Sequence, residues 1–135
     1  MSEMTINELN IEAKPENMDA VQSFICERIA ECSQKTVNQI QIAVDEVFSN
    51  ISYYAYGSGG GNVTIRIKVG DNILIEFEDE GVAYNPLSSE EPDITAPLED
   101  RKVGGLGVFL LKKLIDNVDY RREENKNILT LTKNL

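Results

Sequence analysis

The sequence contains no histidine. That absence removes Ser-His-Asp and Cys-His nucleophilic catalysis, and with them His-ligated zinc and haem. Cysteine is scarce as well, with only Cys26 and Cys32 present. The two fall in what reads as a single helix, and their separation of six corresponds to ~600° of rotation, or about 120° around the axis. Side chains so placed do not bridge easily, and both read as buried thiols of a reducing compartment. Basic residues are outnumbered, 13 Lys and Arg against 23 Asp and Glu, for a formal net charge of −10. A surplus of that sign repels phosphate backbones and anionic lipid, so neither nucleic acid nor a membrane is an expected partner. A small anionic ligand can still bind where a metal ion or a local basic group offsets the field. No apolar run approaches the roughly 20 residues of a membrane span. The segment Met1 to Ile11 carries acids and lacks a basic stretch followed by an apolar one, so it does not read as a signal peptide. The expected location is the cytoplasm.

What is present describes one soluble globular domain over residues 1–135, 41% hydrophobic and 27% charged. A chain of this length buries roughly two-thirds of its unfolded surface, enough for a core without staples. The hydrophobic period alternates along it. A weak strand spans Thr5 to Ile11, and Pro15 with Asn17 marks a break and a helix cap. Val21, Phe24, Ile25 and Ile29 keep helical spacing between Met18 and about Glu31. A longer helix is predicted from about Lys35 to Tyr54, with Ile40, Val44, Val47 and Phe48 on its core stripe and Glu46 and Asn50 side by side on the flank. The glycines of residues 57–61 break it. Val63, Ile65, Ile67 and Val69 then alternate, Gly70-Asp71-Asn72 makes a hairpin turn, and Ile73, Ile75 and Phe77 alternate back before a run of acids. Residues 81–103 are irregular, with three prolines. Gly104-Gly105-Leu106-Gly107 opens a third helix bearing Val108, Leu111, Leu114, Ile115 and Val118. Strands at about 119–124 and 128–133 flank a turn at Asn125-Lys126-Asn127. Two hairpins and three amphipathic helices imply an α+β, two-layer α/β sandwich with a mostly antiparallel mixed sheet covered on one face.

Three local features carry candidate chemistry. Glu46 and Asn50, one helical turn apart, place a carboxylate and an amide oxygen where they can hold a hard divalent cation or take a proton. Taken alone, the pair is also an ordinary solvated helix face. Asp79-Glu80-Gly81 ends a strand with a carboxylate able to accept from an exocyclic amine, and with a glycine that lets a flat ring approach. A plain strand-terminating turn would look the same. Gly104-Gly105-Leu106-Gly107 at a helix start offers unpaired N–H groups and the positive end of a dipole to phosphates. It fits neither the P-loop nor the dinucleotide fingerprint. Arg101 and Lys102 beside it are a basic pair in an acidic stretch, and would equally suit a solvated loop.

The order and spacing of these features resemble the GHKL ATPase superfamily, whose nucleotide-binding unit is the Bergerat fold. Within it the chain is most similar to the bacterial anti-sigma-factor serine kinases, through Ala43-Val44-Asp45-Glu46-Val47-Phe48-Ser49-Asn50, Asp79-Glu80-Gly81-Val82-Ala83-Tyr84-Asn85-Pro86 and Gly104-Gly105-Leu106-Gly107-Val108-Phe109-Leu110-Leu111. The resemblance implies ATP and Mg²⁺ as cofactors, with Asn50 holding the metal and Glu46 acting as general base. It implies Asp79 on the adenine amino group and Gly81 beside the base. Gly104, Gly105, Leu106 and Gly107 would lie at the phosphates, Arg101 and Lys102 would reach them, and residues 82–103 would form an ATP lid. The implied partners are a sigma factor and a STAS-type anti-sigma-factor antagonist, with a homodimer common in the group. Two positions depart from the pattern: Tyr54 stands where a histidine is frequent, and Ala83 where a second glycine is. The implied activity is serine/threonine phosphorylation of the antagonist, and the alternative is a non-catalytic regulatory module that uses ATP to set partner affinity.

Overall fold

The computed structural model describes residues 6–56, 60–83 and 111–135. Period-two alternation makes the sheet. In β2 (Asn62–Val69) and β3 (Asn72–Asp79), the side chains of Val63, Ile65, Ile67, Ile73, Ile75 and Phe77 turn to one face and are almost fully buried. With β1 (Ile6–Glu12), β4 (Asn117–Glu123) and β5 (Lys126–Asn134), these strands form a five-stranded sheet in the order β1-β2-β3-β5-β4. Every pairing among the described residues is antiparallel, so the mixed character expected from sequence does not occur there.

Helices cover the apolar face. A 3₁₀ turn (Pro15–Asn17) leads into α1 (Met18–Arg28), which buries Val21 and Ile25. The next helix, α2 (Gln34–Asn50), buries Ile40, Ala43, Val44, Val47 and Phe48. Residues 111–114 are helical, and Leu111 and Ile115 join the same core. The architecture is α+β in two layers. The uncovered face carries charge: Arg66 reaches Glu8 at 2.8 Å, Glu76 at 2.9 Å and Glu78 at 3.3 Å. Partly exposed pairs of this kind contribute roughly 0–1 kcal/mol each, so cohesion comes from the covered face.

Four expectations shift. The first helix ends at Arg28, and Ser33 caps α2 by accepting from the Thr36 N–H at 3.2 Å. Cys32 therefore lies beyond α1 rather than on it, and both thiols are half-buried and free instead of fully buried. The long helix stops being α-helical at Asn50 and continues as a π-helical turn, Ile51–Ala55. The weakly predicted first strand is a full partner of β2, tied further by Asn10 Nδ2 donating to Thr64 Oγ1 at 2.8 Å. The last hairpin turns at Glu124 and Asn125, whose φ values of 47° and 68° suit the primed turn that matches strand twist. That shift moves Asn127 out of the turn and into β5. If the core lies where α2 meets the sheet, Phe48→Ala should cost about 3–5 kcal/mol in urea unfolding. A loss under about 1 kcal/mol would contradict that placement.

Candidate nucleotide site

The π-helical turn at the end of α2 fixes the geometry of the site. Its last residue, Ala55, accepts from the Val82 N–H at 2.8 Å, which fastens the C-terminal end of α2 to the chain leaving β3. Gly81 makes that approach possible. A Cβ there would sit 2.0 Å from the Ala55 carbonyl oxygen, so any side chain would push the two segments apart. Tyr56 reinforces the joint: its hydroxyl donates to Asn62 O at 2.6 Å and accepts from the Glu80 N–H at 2.7 Å.

The joint brings two of the expected site residues to one place. Asn50 of α2 and Asp79 of β3 both line one pocket, together with Phe77, Tyr120, Asn127 and Leu129. Glu46 is not part of that lining, but it is linked to it, because Asn50 Nδ2 donates to Glu46 Oε1 at 3.1 Å. The helical wheel puts both side chains on the flank of α2. The structure instead buries Asn50 and leaves Glu46 half-buried, because this flank faces the ends of β3 and β5. Burial pushes the Glu46 carboxyl above its ordinary range, the Asn50 hydrogen bond opposes that, and the Asp45 charge adds to it. A carboxylate so raised is a stronger proton acceptor.

Asp79 follows Ile73, Ile75 and Phe77 on the inward face of β3, and only 5% of its surface is exposed. Its Oδ1 accepts from the Gly81 N–H and from Asn127 Nδ2, both at 2.9 Å. Burial pushes its carboxyl up. The Asn127 amide, the Gly81 N–H and Arg122 hold it down in that order, and Glu78 raises it slightly. Asn127 is the residue that sequence reasoning misses. Read as part of a turn, it proves buried in β5, directly opposite Asp79. Its signal is the two-residue register that it shares with Leu129 and Leu131 once the turn is set at Glu124 and Asn125.

Arg101, Lys102, Gly104, Gly105, Leu106 and Gly107 lie outside the described residues, as do residues 84–103 of the expected lid and the side chain of Tyr54. Ala83 is exposed and does not line the pocket.

Comparison with known proteins agrees with the fold. Residues 11–133 match the family described as the histidine kinase-like ATPase domain. The serine-protein kinase RsbW of Halalkalibacterium halodurans is 30% identical over 93% of this chain and 81% of its own. The serine/threonine-protein kinase BtrW of Bordetella bronchiseptica is 28% identical over 69% of this chain and 67% of its own. In fold, the chain is similar to the crystal structure of the RsbU and RsbW domains of Rv1364c from Mycobacterium tuberculosis. The TM-score is 0.66 at 16% identity, over 96% of this chain and 32% of that longer one. The chain belongs to the histidine kinase-like ATPase domain family, in the group of the RsbW serine-protein kinases.

Two outcomes follow from the local geometry. Gly81→Ala should lower the melting temperature of the ligand-free protein, at a cost of about 1–3 kcal/mol from overpacking against Ala55. An unchanged melting temperature would contradict the contact. The second concerns the Asp79 carboxyl, whose raised pKa means that the folded state binds its proton more tightly than the unfolded state does. Stability from this group is therefore highest below the ordinary carboxylate range and is lost as pH rises through the raised value. Asp79→Asn keeps an oxygen for Asn127 and Gly81, so at pH 7 it should be at least as stable as the parent, and the advantage should fade on acidification. A clear loss of stability at pH 7 would contradict this.

Proposed function

We propose that the pocket binds ATP with Mg²⁺, and that the chain is an anti-sigma regulatory serine/threonine kinase that phosphorylates a small antagonist protein and alternatively sequesters a sigma factor. The observation that carries this reading is the convergence of Asn50 and Asp79, from separate elements, on one largely apolar pocket. A mostly apolar cavity with a few fixed polar groups suits a flat heteroaromatic ring held at its edge. In this reading Asp79 accepts from the adenine amino group through Oδ2, since its hydrogen bonds within the described residues go to Oδ1.

The donors present fit magnesium. The carbonyl oxygen of Asn50 is a hard donor with no hydrogen bond among the described residues, because the Asn50 amide hydrogens face Glu46. No group of three acidic or cysteine side chains among the described residues could cage a cation alone. Such a site suits an ion that takes one or two protein oxygens and completes its shell with phosphates and water. Asn50 Oδ1 would hold the ion, and its charge would offset that of the phosphates in a chain of net charge −10.

Glu46 is assigned as the general base. Phosphoryl transfer depends on positioning and charge neutralisation, with one carboxylate to take the hydroxyl proton, so the lack of histidine is no obstacle. Arg101, Lys102 and the Gly104-Gly105-Leu106-Gly107 segment are proposed at the phosphates on sequence grounds. The chain is read as one ATP-binding domain, placed in the cytoplasm and excluding nucleic acid and membrane as partners. Among the described residues no helix is long and apolar enough to cross a membrane.

Glu46→Gln tests the assignment, because it retains an oxygen for Asn50 and removes only the basicity. It should abolish transfer of the ATP γ-phosphate to the antagonist and leave nucleotide affinity within about 1 kcal/mol of the parent. Transfer retained by the variant would remove Glu46 as the base. A parent chain that binds ATP but phosphorylates no antagonist would instead be a regulatory module that uses the nucleotide to set partner affinity.

A further inference from the structure

Asn127 is a small polar residue at a buried position of a β-strand, and it satisfies four neighbours at once. Its Nδ2 donates to Asp79 Oδ1 at 2.9 Å and to the Val82 carbonyl oxygen at 2.7 Å. Its Oδ1 accepts from the Tyr120 hydroxyl at 2.5 Å and from Arg122 Nη1 at 3.0 Å. The amide can be inserted only one way round. A guanidinium can only donate and a peptide carbonyl can only accept, so Arg122 and Val82 together fix which end is oxygen and which is nitrogen. Arg122 also donates to the Gly81 carbonyl oxygen at 3.0 Å, so the same pair of side chains holds two successive residues of the chain leaving β3.

The consequence for Asp79 is directional. With Oδ1 held by Asn127 and by the Gly81 N–H, rotation of the carboxylate would break two hydrogen bonds in a site that is 5% exposed. A buried acceptor stripped of its donors bears the full cost of its lost solvation. We infer that Asn127 is a positioning residue for base recognition: it locks the Asp79 carboxylate so that Oδ2 is presented to the pocket, and it ties that carboxylate to Val82, where the chain leaves β3. This rests on the reading of the pocket as an adenine site. It also names how selectivity is built there. An amide held at both ends keeps the acceptor rigid, and a rigid acceptor discriminates an exocyclic amine from a carbonyl more sharply than a mobile one.

The test has two arms, so that failure of this inference and failure of the adenine reading are distinguishable. In the first arm, the full chain is labelled with ¹³C at aspartate carboxyls and titrated by NMR without nucleotide. Among the described residues the charged and titratable groups facing Asp79 are Arg122 from β4, Glu78 from its own strand and Tyr56 beyond α2, and none is altered. Asn127→Ala removes a donor to the ionised form, so the Asp79 midpoint should move further up. A merely structural role would open the site and move the midpoint down towards the ordinary aspartate value. A midpoint that falls or stays fixed overturns the inference.

In the second arm, Mg²⁺-ATP affinity is measured calorimetrically for Asn127→Ala and Asp79→Asn, singly and together. Asn127→Ala alone should weaken ATP about tenfold, and in the Asp79→Asn background it should add less than about twofold, because the carboxylate it orients is gone. A tenfold loss in both backgrounds overturns the inference. Asn127→Val, which lacks the donors, adds no charge and suits a strand, should behave as Asn127→Ala does in both arms and serves if the alanine variant does not fold. If the parent chain fails to bind ATP, the adenine reading falls while the NMR arm still decides whether Asn127 orients Asp79.

Discussion

The contact between Gly81 and the carbonyl of Ala55 is the constraint on which the site depends. Helix α2 and strand β3 are far apart in sequence, and their packing through the core would by itself leave the relative height of their ends undetermined. The bare Cα at Gly81 and the 2.8 Å hydrogen bond from Val82 to Ala55 set that height. Because the ends meet, Asn50 on the last turn of α2 faces Asp79 on the last residue of β3. The π-helical turn is part of the same device. Such turns reorient the residues around them and recur at functional sites. Here it carries the chain from the core stripe of α2 to the joint with β3.

Apolar packing and the polar cluster have separate roles. The core formed by Phe48, Phe77 and the isoleucines of β2 and β3 is ordinary two-layer packing and explains cohesion. It does not explain why an ionisable carboxyl is buried beside it. Burying the Asp79 carboxyl carries a penalty, which pushes its pKa up and is offset only in part by the Asn127 amide, the Gly81 N–H and Arg122. A group held at a cost to folding is a candidate for function, and the same holds for the half-buried Glu46. Glu46 and Asp79 are thus perturbed for one cause, burial, and under the proposed reading one would take a proton and the other would accept a fixed hydrogen bond.

Much of this was legible in the sequence, for stated physical reasons. The spacing of four placed Glu46 and Asn50 together, and their hydrogen bond confirms it. Period two along Ile73, Ile75 and Phe77 carries Asp79 to the inward face. Other features were not legible. Read locally, Gly81 makes room for a ligand, whereas the nearest atom to its missing side chain is backbone of this chain, a long-range contact that no local pattern encodes. Asn127 was hidden because Asn-Lys-Asn looks like a turn, and only the register of β4 with β5 shows that the turn closes two residues earlier. A helical wheel puts Asn50 on the flank because it describes a lone helix and omits the strands that face it.

The central claim is that an adenine nucleotide occupies the pocket between α2 and β3. The most direct measurement is the thermal shift of the unmodified chain with Mg²⁺-ATP and, in parallel, with Mg²⁺-GTP. A ligand that binds only the folded state at a hundred times its Kd stabilises by about 2.7 kcal/mol. The account predicts a clear rise in Tm with ATP and a markedly smaller one with GTP, since guanine offers a carbonyl where adenine offers the amine that Asp79 would accept. No shift with ATP, or an equal shift with both nucleotides, would contradict it.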